Sequence, residues 1–327
     1  MTGQVSADAD DHRYRQGRID LYESSWKIYL SLANRLRSAG LPMASVVEQF
    51  QQASDFAYRH DGGFVPSIIA EQVSRIDLRL FKGLSAPHRL CVADGAYQGT
   101  PKSTDFQVMR AAVSAVMDPQ VDCLVEFGSG VGLNLARLAL HIGPRATPMT
   151  YLACEPAPSG LDVTRCLFAN GDCRVETHFF DYTDPRLDFL DRFERIVALT
   201  CHSIEQIPML GQNFHRALLA RKLAAGIHLE PVGWQRFPNL AAQVRAAHDD
   251  PETSRHFCRD YTYVIDKRHL VENTAAWAAA CRYNLDLLPQ IAALSDEGLI
   301  TIATLAYEVV GTNNPFNPST LIVWRPA

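Results

Sequence analysis

The chain has 327 residues, of which 47% are hydrophobic and 20% charged, and its formal net charge is −5. This composition supplies ample apolar side chains for a folded core, which excludes the class of disordered proteins. The 31 basic and 36 acidic residues form no block of one sign. Proteins that bind nucleic acid or membrane surfaces usually need a basic face. We therefore expect neither nucleic acid nor a membrane as a partner.

The N-terminus and the cysteines indicate the compartment. No run approaches the roughly 18–20 consecutive apolar residues that span a bilayer. The first residues, MTGQVSADADDHRYRQ, are polar and acidic, whereas a signal peptide is basic and then apolar. None of the eight cysteines forms a CxxC pair, and several lie in apolar runs, where a reduced cysteine behaves as a small hydrophobe. The sequence predicts a cytoplasmic protein without a structural metal site.

The first third of the chain has the pattern of helices. Apolar residues at helical spacing predict a helix that ends at Gly40, and two further helices in MASVVEQFQQASDFAYR and PSIIAEQVSRIDLRLFKG. The segment DGAYQGTPKS is predicted to be a polar loop before a fourth helix. We predict that residues 1–115 form an N-terminal helical cap region and that residues 116–327 form a separate domain.

From residue 121 onward, short apolar runs alternate with helical segments. The five runs are VDCLVEFG, TYLACEP, RVETHFFDY, RIVALTCHS and IHLEPVG. This alternation is typical of βαβ units on a buried parallel sheet. Two last strands, ITIATLAYEVVG and STLIVWRP, are joined by too short a link for a crossover helix and should pair antiparallel. The prediction is an α/β fold with a mostly parallel seven-stranded sheet, interrupted by an insertion near 233–275.

A glycine-rich turn follows the first of these strands. It reads Glu126-Phe127-Gly128-Ser129-Gly130-Val131-Gly132. Glycines at a strand-to-helix turn permit positive φ and let the backbone approach a ligand closely. The helix that starts near Leu133 then offers its amide groups to a carboxylate or phosphate. A string of this kind also serves nicotinamide enzymes, so the turn alone indicates a nucleotide or nucleoside without choosing between them.

The spacing of the turn resembles the first motif of class I S-adenosylmethionine-dependent methyltransferases, because an acidic residue stands two positions before the first of three alternating glycines. The strand order with its terminal hairpin is similar to that family too. The resemblance covers roughly residues 120–327 and leaves the N-terminal third outside. It implies a Rossmann-like domain and S-adenosyl-L-methionine as the cofactor. The cofactor-binding residues expected in and after the turn are Glu126, Gly128, Ser129, Gly130, Gly132 and Asn134.

Two acidic residues follow the next two strands. Glu155 ends YLACE, where a carboxylate can accept hydrogen bonds from ribose hydroxyls, and Pro156 beside it is expected in the same site. The resemblance implies that Asp181, after RVETHFF, faces the adenine amino group. Tyr182 is expected either to pack on the adenine ring or to lie nearer the sulfonium, since an aromatic face favours a cation. In the alternative interpretation, Asp181 only begins a turn.

The segment TCHSIEQIP follows the fourth strand at its carboxyl end, where open α/β sheets place their chemistry. Thr200 is expected to contact the cofactor, and His202 is a candidate general base because an imidazole titrates near neutrality. Ser203 is a candidate for binding the methionine carboxylate or the substrate, or else for capping the next helix. Tyr97 is expected to close over the amino-acid end of the cofactor. The predicted catalytic set is therefore His202, Ser203, Tyr182 and Tyr97.

Three functions remain open at this stage. The leading hypothesis is methyl transfer to a small-molecule, natural-product-like acceptor by in-line displacement. No Asn-Pro-Pro-Tyr or Asp-Pro-Pro-Tyr motif follows the fourth strand, which counts against nucleic-acid and protein amide acceptors. The alternative is attack at the methionine γ-carbon, such as cyclisation to azetidine-2-carboxylate with release of 5′-methylthioadenosine. The third is a non-catalytic nucleoside-binding protein. For the assembly of the chain, the hypothesis is a homodimer.

Overall fold

The computed structural model describes residues 4–60, 88–93, 95–101, 104–146, 148–210, 213–250, 252–253, 269–311 and 316–327. The chain divides into two compact units that each draw on three segments. The first unit comprises residues 1–63, 117–203 and 213–224, and the second comprises residues 64–116, 204–212 and 225–327. None of the described helices combines the length and the apolar character needed to cross a membrane.

The described residues contain nine strands. They are β1 His88–Ala93, β2 Ala96–Pro101, β3 Cys123–Phe127, β4 Thr150–Cys154, β5 Arg174–His178, β6 Ile196–Cys201, β7 Leu223–Glu230, β8 Ile300–Gly311 and β9 Ser319–Pro326. Within the first unit their order is β6-β3-β4-β5, and within the second it is β2-β1-β8-β9-β7.

The described helices include two that precede β1 in the chain, and the others follow β2. They are α1 Gln4–Ser38, α2 Met43–His60, α3 Thr104–Val116, α4 Leu133–Ile142, α5 Pro158–Phe168, α6 Asn213–Leu219, α7 Pro238–Asp249, α8 Leu270–Cys281 and α9 Leu287–Asp296. Short 3-10 helices occupy Asp188–Leu190, Ile204–Gln206 and Gly233–Arg236.

The first unit contains the parallel strands β6, β3, β4 and β5 in that order. Every residue of β3 and β4 is buried, as expected for strands covered on both faces. Phe127 pairs with Cys154 on one side and with Thr200 on the other, so the carboxyl ends of β4, β3 and β6 lie at one edge. The long helix α1 packs on α5, and α2 contacts α4 and α5.

The second unit is built on antiparallel pairs. β9 pairs with β7 and with β8, β1 pairs with β8, and β2 pairs with β1. A buried apolar cluster joins α7, α8 and the 3-10 helix Gly233–Arg236, with Trp234, Val244, Ala275 and Trp277 among its members. Helices α3 and α9 contact β8.

The predicted fold class is confirmed: an α/β protein with parallel strands, an antiparallel C-terminal hairpin and N-terminal helices. One correction concerns DGAYQGTPKS, which was expected to be a loop. Within it, Gly95 lies in a turn and residues 96–101 form β2, which pairs with β1, while β1 pairs Val92 with Gly311 of β8. The described residues therefore contain nine strands, where the sequence predicts seven. The predicted helix at 66–83 lies outside the described residues.

A test of the packing in the second unit uses Gly226 of β7. A Cβ atom there would lie 2.2 Å from Cε2 of the buried Trp324. Gly226→Ala should therefore lower the free energy of unfolding by about 1–3 kcal/mol, a typical cost of overpacking. The matched control is Gly17→Ala in α1, where a Cβ meets nothing within 4 Å. That change should stabilise by up to about 1 kcal/mol. Equal effects of the two substitutions in urea unfolding would contradict the packing assignment.

Candidate functional site

The glycine turn follows β3 and adopts left-handed backbone geometry at each glycine. The φ angles are 65° at Gly128, 54° at Gly130 and 69° at Gly132. Side chains with a Cβ atom are strained in this region, so the conformation itself favours glycine at all three positions. Gly132 is also the N-cap of α4, and its N–H donates to the Ser129 carbonyl at 2.8 Å.

The three glycines face different neighbours. A Cβ atom at Gly128 would lie 2.3 Å from Cβ of Ser203, and one at Gly132 would lie 2.3 Å from Oγ1 of Thr164. At Gly130 the nearest atom is Cζ2 of Trp26 at 3.4 Å. The first and third glycines are therefore required by close packing within the protein. The packing around Gly130 is looser, and its nearest neighbour is the indole ring of Trp26 from α1.

Glu155 connects the turn after β4 to the turn after β3. Its Oε2 accepts a hydrogen bond from the Gly130 N–H at 2.9 Å, and its Oε1 accepts one from the Ala157 N–H at 3.2 Å. Burial raises the pKa of Glu155 to about 7, although the two backbone N–H groups act to lower it. Each carboxylate oxygen has a further lone pair, so Glu155 retains capacity for the hydroxyls of a ribose.

Glu126 lies beneath the same turn and is 1% exposed. Its Oε1 accepts a hydrogen bond from Nδ2 of Asn134 at 3.2 Å, which brings together two residues predicted for cofactor binding. Its Oε2 is buried and, in the part of the chain that the structure describes, has no hydrogen-bond partner. Burial raises the pKa of Glu126 to about 8. An unsatisfied buried oxygen is costly, so a ligand N–H here would be favoured.

Tyr182 and Ser203, two of the predicted catalytic residues, lie together against the end of β3. The Tyr182 hydroxyl is 2.8 Å from Oγ of Ser203, and both hydroxyls donate to the Phe127 carbonyl at 2.9 Å. Both side chains are buried. The Tyr182 ring also meets Phe180 and Phe214 edge to face. These contacts hold the start of the glycine turn against the end of β6.

Asp181 has partners within the protein. Its Oδ1 accepts hydrogen bonds from the N–H and the hydroxyl of Thr183 at 2.9 and 2.8 Å, which forms the turn that the sequence offered as an alternative. Its Oδ2 pairs with the guanidinium of Arg15 from α1 at 3.4 Å, and Arg15 also donates to the Thr183 hydroxyl. The expected contact with adenine stays a prediction.

Helix α1 also contacts the start of α5. The N-cap of α5, Ala157, has no capping side chain, and Glu23 of α1 supplies the missing acceptor. The Glu23 carboxylate accepts from the Ser159 N–H at 2.9 Å and from the Ser159 hydroxyl at 2.7 Å. A carboxylate is stabilised at a helix N-terminus by unpaired amides and the helix dipole. Sequence reasoning missed Arg15, Glu23 and Trp26, because their partners are distant in the chain and leave no local pattern.

The end of β6 carries an unusual backbone angle. His202 has φ of 51°, which is uncommon for a residue with a side chain and often marks a functional site. Thr200, two positions earlier, is buried and pairs with Phe127 across the sheet.

Two further predicted site residues lie on other segments. Pro156 follows Glu155 and is half-buried. Tyr97 belongs to β2, which corrects its expected loop position, and its side chain lies outside the described part of the structure.

Two buried acids lie in the second unit: Glu205, on the segment after Ser203, and Glu230, at the end of β7. Glu230 ends β7, and its carboxylate accepts from the N–H groups of Ile204 and Glu205, both at 3.3 Å. Glu205 is buried and accepts from Nε2 of Gln206 at 2.6 Å. Glu230 thus caps the 3-10 helix, a function that its place at a strand end alone did not reveal. Among the described residues, no group of three or more His, Cys, Asp or Glu is arranged to hold a metal ion.

Comparisons with known proteins were made at three levels. No family model matches the chain, and no curated protein sequence matches it. Among solved structures, the pyocyanin biosynthetic protein PhzM is 13% identical over 68% of this chain and 55% of PhzM, with a TM-score of 0.39. This chain thus spans about half of PhzM.

Two further solved structures match over most of their length. An O-methyltransferase from Bacillus cereus in complex with S-adenosylhomocysteine is 12% identical over 84% of this chain and 97% of that one, with a TM-score of 0.35. The O-methyltransferase TomG from Streptomyces achromogenes, in complex with S-adenosylmethionine, is 14% identical over 81% and 91%, with a TM-score of 0.36. The parallel strands β6, β3, β4 and β5 and the antiparallel hairpin β8–β9 agree with the fold that the sequence resemblance implies.

The raised pKa of Glu126 predicts a pH-dependent stability. A carboxyl whose pKa is higher in the folded state, here about 8 against an ordinary value of 4.5, stabilises fully at low pH and loses that contribution as pH rises through the folded pKa. Thermal unfolding should therefore show the ligand-free protein losing stability as the pH rises from about 4.5 to about 8. Glu126→Gln should reduce this loss by about 1–3 kcal/mol. The exposed Glu297→Gln should behave as the wild type, and an unchanged loss in Glu126→Gln would refute the assignment.

Proposed function

We propose that the edge of the sheet at the glycine turn binds S-adenosyl-L-methionine. The observation that carries this proposal is the Gly130–Glu155 hydrogen bond, which holds a carboxylate with spare acceptor capacity beside a left-handed glycine turn. The carboxylate suits the ribose hydroxyls, and the unsatisfied Oε2 of Glu126 suits the ammonium group of the methionine portion. Ser129, Asn134, Pro156, Asp181 and Thr200 are proposed to complete the site.

The charge at the turn favours this ligand over a dinucleotide. Glu126 and Glu155 are both buried at the turn, and the charge of Glu155 raises the pKa of Glu126 further. A pyrophosphate would add negative charge next to these carboxyls, which is unfavourable at low dielectric. The sulfonium and ammonium of S-adenosylmethionine add positive charge instead. The acidic turn therefore supports a cationic nucleoside.

We further propose that the chain is a methyltransferase acting on a small-molecule acceptor. S-Adenosylmethionine supplies an activated methyl group, and the acceptor displaces the thioether while losing a proton. His202, at the carboxyl end of β6, is proposed to take that proton. Tyr182 and Ser203 position the turn through their bonds to Phe127, and Tyr97 stays a proposed contributor. The division into a cap at 1–115 and a domain at 116–327 is likewise a proposal, and the contacts of α1 with Ser159 and Asp181 support a covering position for the first helix only.

The pKa of Glu155 predicts how affinity varies with pH. A ligand whose hydroxyls donate to this carboxylate binds best when the group is ionised, so binding expels a proton below the pKa of about 7. Calorimetry should show S-adenosylhomocysteine binding about tenfold more tightly at about pH 8 than at about pH 6. Glu155→Gln should bind more weakly and lose most of this dependence. The same pH profile in wild type and Glu155→Gln would exclude Glu155 as the ribose acceptor.

The reaction is tested by its products. Purified protein is incubated with S-adenosylmethionine, first alone and then with a panel of phenols, carboxylic acids and amines. Methyl transfer should give S-adenosylhomocysteine and a methylated acceptor only when an acceptor is present. Acceptor-independent 5′-methylthioadenosine would instead establish attack at the γ-carbon. Binding without either product across the panel would favour a nucleoside-binding protein.

The proposed base is tested by substitution. His202→Ala should lower the rate of methyl transfer by about 10²–10⁴-fold, the usual contribution of a general base, with little change in cofactor affinity. His141→Ala, at an exposed position in the last turn of α4, is the control and should keep the wild-type rate. A wild-type rate in His202→Ala would remove His202 from the mechanism.

A further inference from the structure

Trp26 of α1 is held against the glycine turn by neighbours on its own helix. Its ring stacks on Tyr22 with centroids 5.5 Å apart and meets Tyr29 at 5.6 Å. The edge of the indole faces Gly130, where a Cβ atom would come within 3.4 Å of Cζ2. Trp26 therefore occupies a defined position at the middle glycine of the turn.

The indole N–H of Trp26 is buried and makes no hydrogen bond within the described residues. It is a donor directed at the Glu155 carboxyl and so acts to lower the pKa of that group, although the geometry between the two is poorer than that of an ordinary hydrogen bond. A buried donor without a good hydrogen bond is unfavourable, so an additional acceptor would be stabilised here. An indole has only a donor, so the group that satisfies it must be an acceptor.

Two contacts of charged side chains hold the part of α1 that precedes Trp26. Glu23, three residues before Trp26, accepts both hydrogen bonds from Ser159 at the start of α5. Arg15, further toward the N-terminus, pairs with Asp181 after β5. Burial acts to raise the pKa of Glu23, but the Ser159 bonds and nearby Lys27 outweigh it and lower the pKa, which indicates a stabilised carboxylate. The unpaired N–H is thus presented by an anchored helix.

We propose that Trp26 is a ribose-binding residue: its indole N–H donates to one hydroxyl of the nucleoside diol, and the same hydroxyl donates to the Glu155 carboxylate. A hydroxyl is both donor and acceptor, and so it matches a donor-only indole next to an acceptor-only carboxylate. The ligand class is a ribonucleoside with a free 2′,3′-diol. This assignment rests on the proposed function and extends its cofactor site to α1, outside the segment that resembles the methyltransferases.

The test measures binding of S-adenosylhomocysteine and of its 2′-deoxy and 3′-deoxy analogues by calorimetry. Trp26→Phe should bind the parent about five- to tenfold more weakly, the value of one hydrogen bond. For the analogue that lacks the bridging hydroxyl, the same substitution should cost less than about twofold. Trp234→Phe is the matched control, since Trp234 also has a buried indole N–H without a partner among the described residues, and it should keep wild-type discrimination.

A second variant removes the N–H with almost no change of shape. Replacing Trp26 by β-(3-benzothienyl)alanine substitutes sulfur for the N–H, so this protein should fold even where Trp26→Phe does not. It should reproduce the loss of affinity and the loss of discrimination between parent and deoxy ligand. Equal weakening for all three ligands, or no weakening at all, overturns the proposal. Failure of the wild type to bind S-adenosylhomocysteine would instead overturn the proposed function.

Discussion

The hydrogen bond from the Gly130 N–H to the Glu155 carboxylate joins the ends of two neighbouring strands, and the candidate site is arranged around it. It requires that β3 and β4 end at the same level, which their register provides by pairing Phe127 with Cys154. It also requires a left-handed turn at Gly130. Gly160 of α5 permits the close approach, because a Cβ there would lie 2.4 Å from the Gly130 carbonyl oxygen. The register of β3 and β4, the left-handed turn and the packing of α5 are therefore all needed for the Gly130–Glu155 hydrogen bond.

The electrostatics of the site follow from burying two acids in one place. Burial raises the pKa of Glu126 to about 8 and that of Glu155 to about 7, and the charge of Glu155 raises the pKa of Glu126 further. In the ligand-free site the raised pKa values favour the protonated form of both carboxyls, whereas a bound cationic nucleoside would favour their ionised form. The Oε2 of Glu126 and the N–H of Trp26, neither of which has a hydrogen-bond partner among the described residues, flank the same turn with opposite hydrogen-bonding character. Such an arrangement fits a ligand that carries both donors and acceptors.

The sequence predicted those features that depend on neighbours in the chain. The alternation of apolar runs and helices, the glycine turn and the acid after β4 all have local patterns, and the parallel core and terminal hairpin were confirmed. The β1–β2 hairpin was missed because its place depends on pairing with β8, far along the chain. The contacts of Trp26 and the backbone angle of His202 have no signature in residue type. Tyr182 and Ser203 were predicted for the site, but not their shared bond to the Phe127 carbonyl.

The contacts of α1 also affect how the chain folds while the ribosome synthesises it. Helix α1 leaves the ribosome before β3, β4 and α5, yet Glu23 finds its partner Ser159 at a separation of 136 residues. Contacts so distant in sequence form late, because loop closure must precede them. The nascent helix therefore exposes Trp26 and its apolar neighbours until β3, β4 and α5 have been synthesised. During that interval the growing chain depends on protection of this segment from premature association.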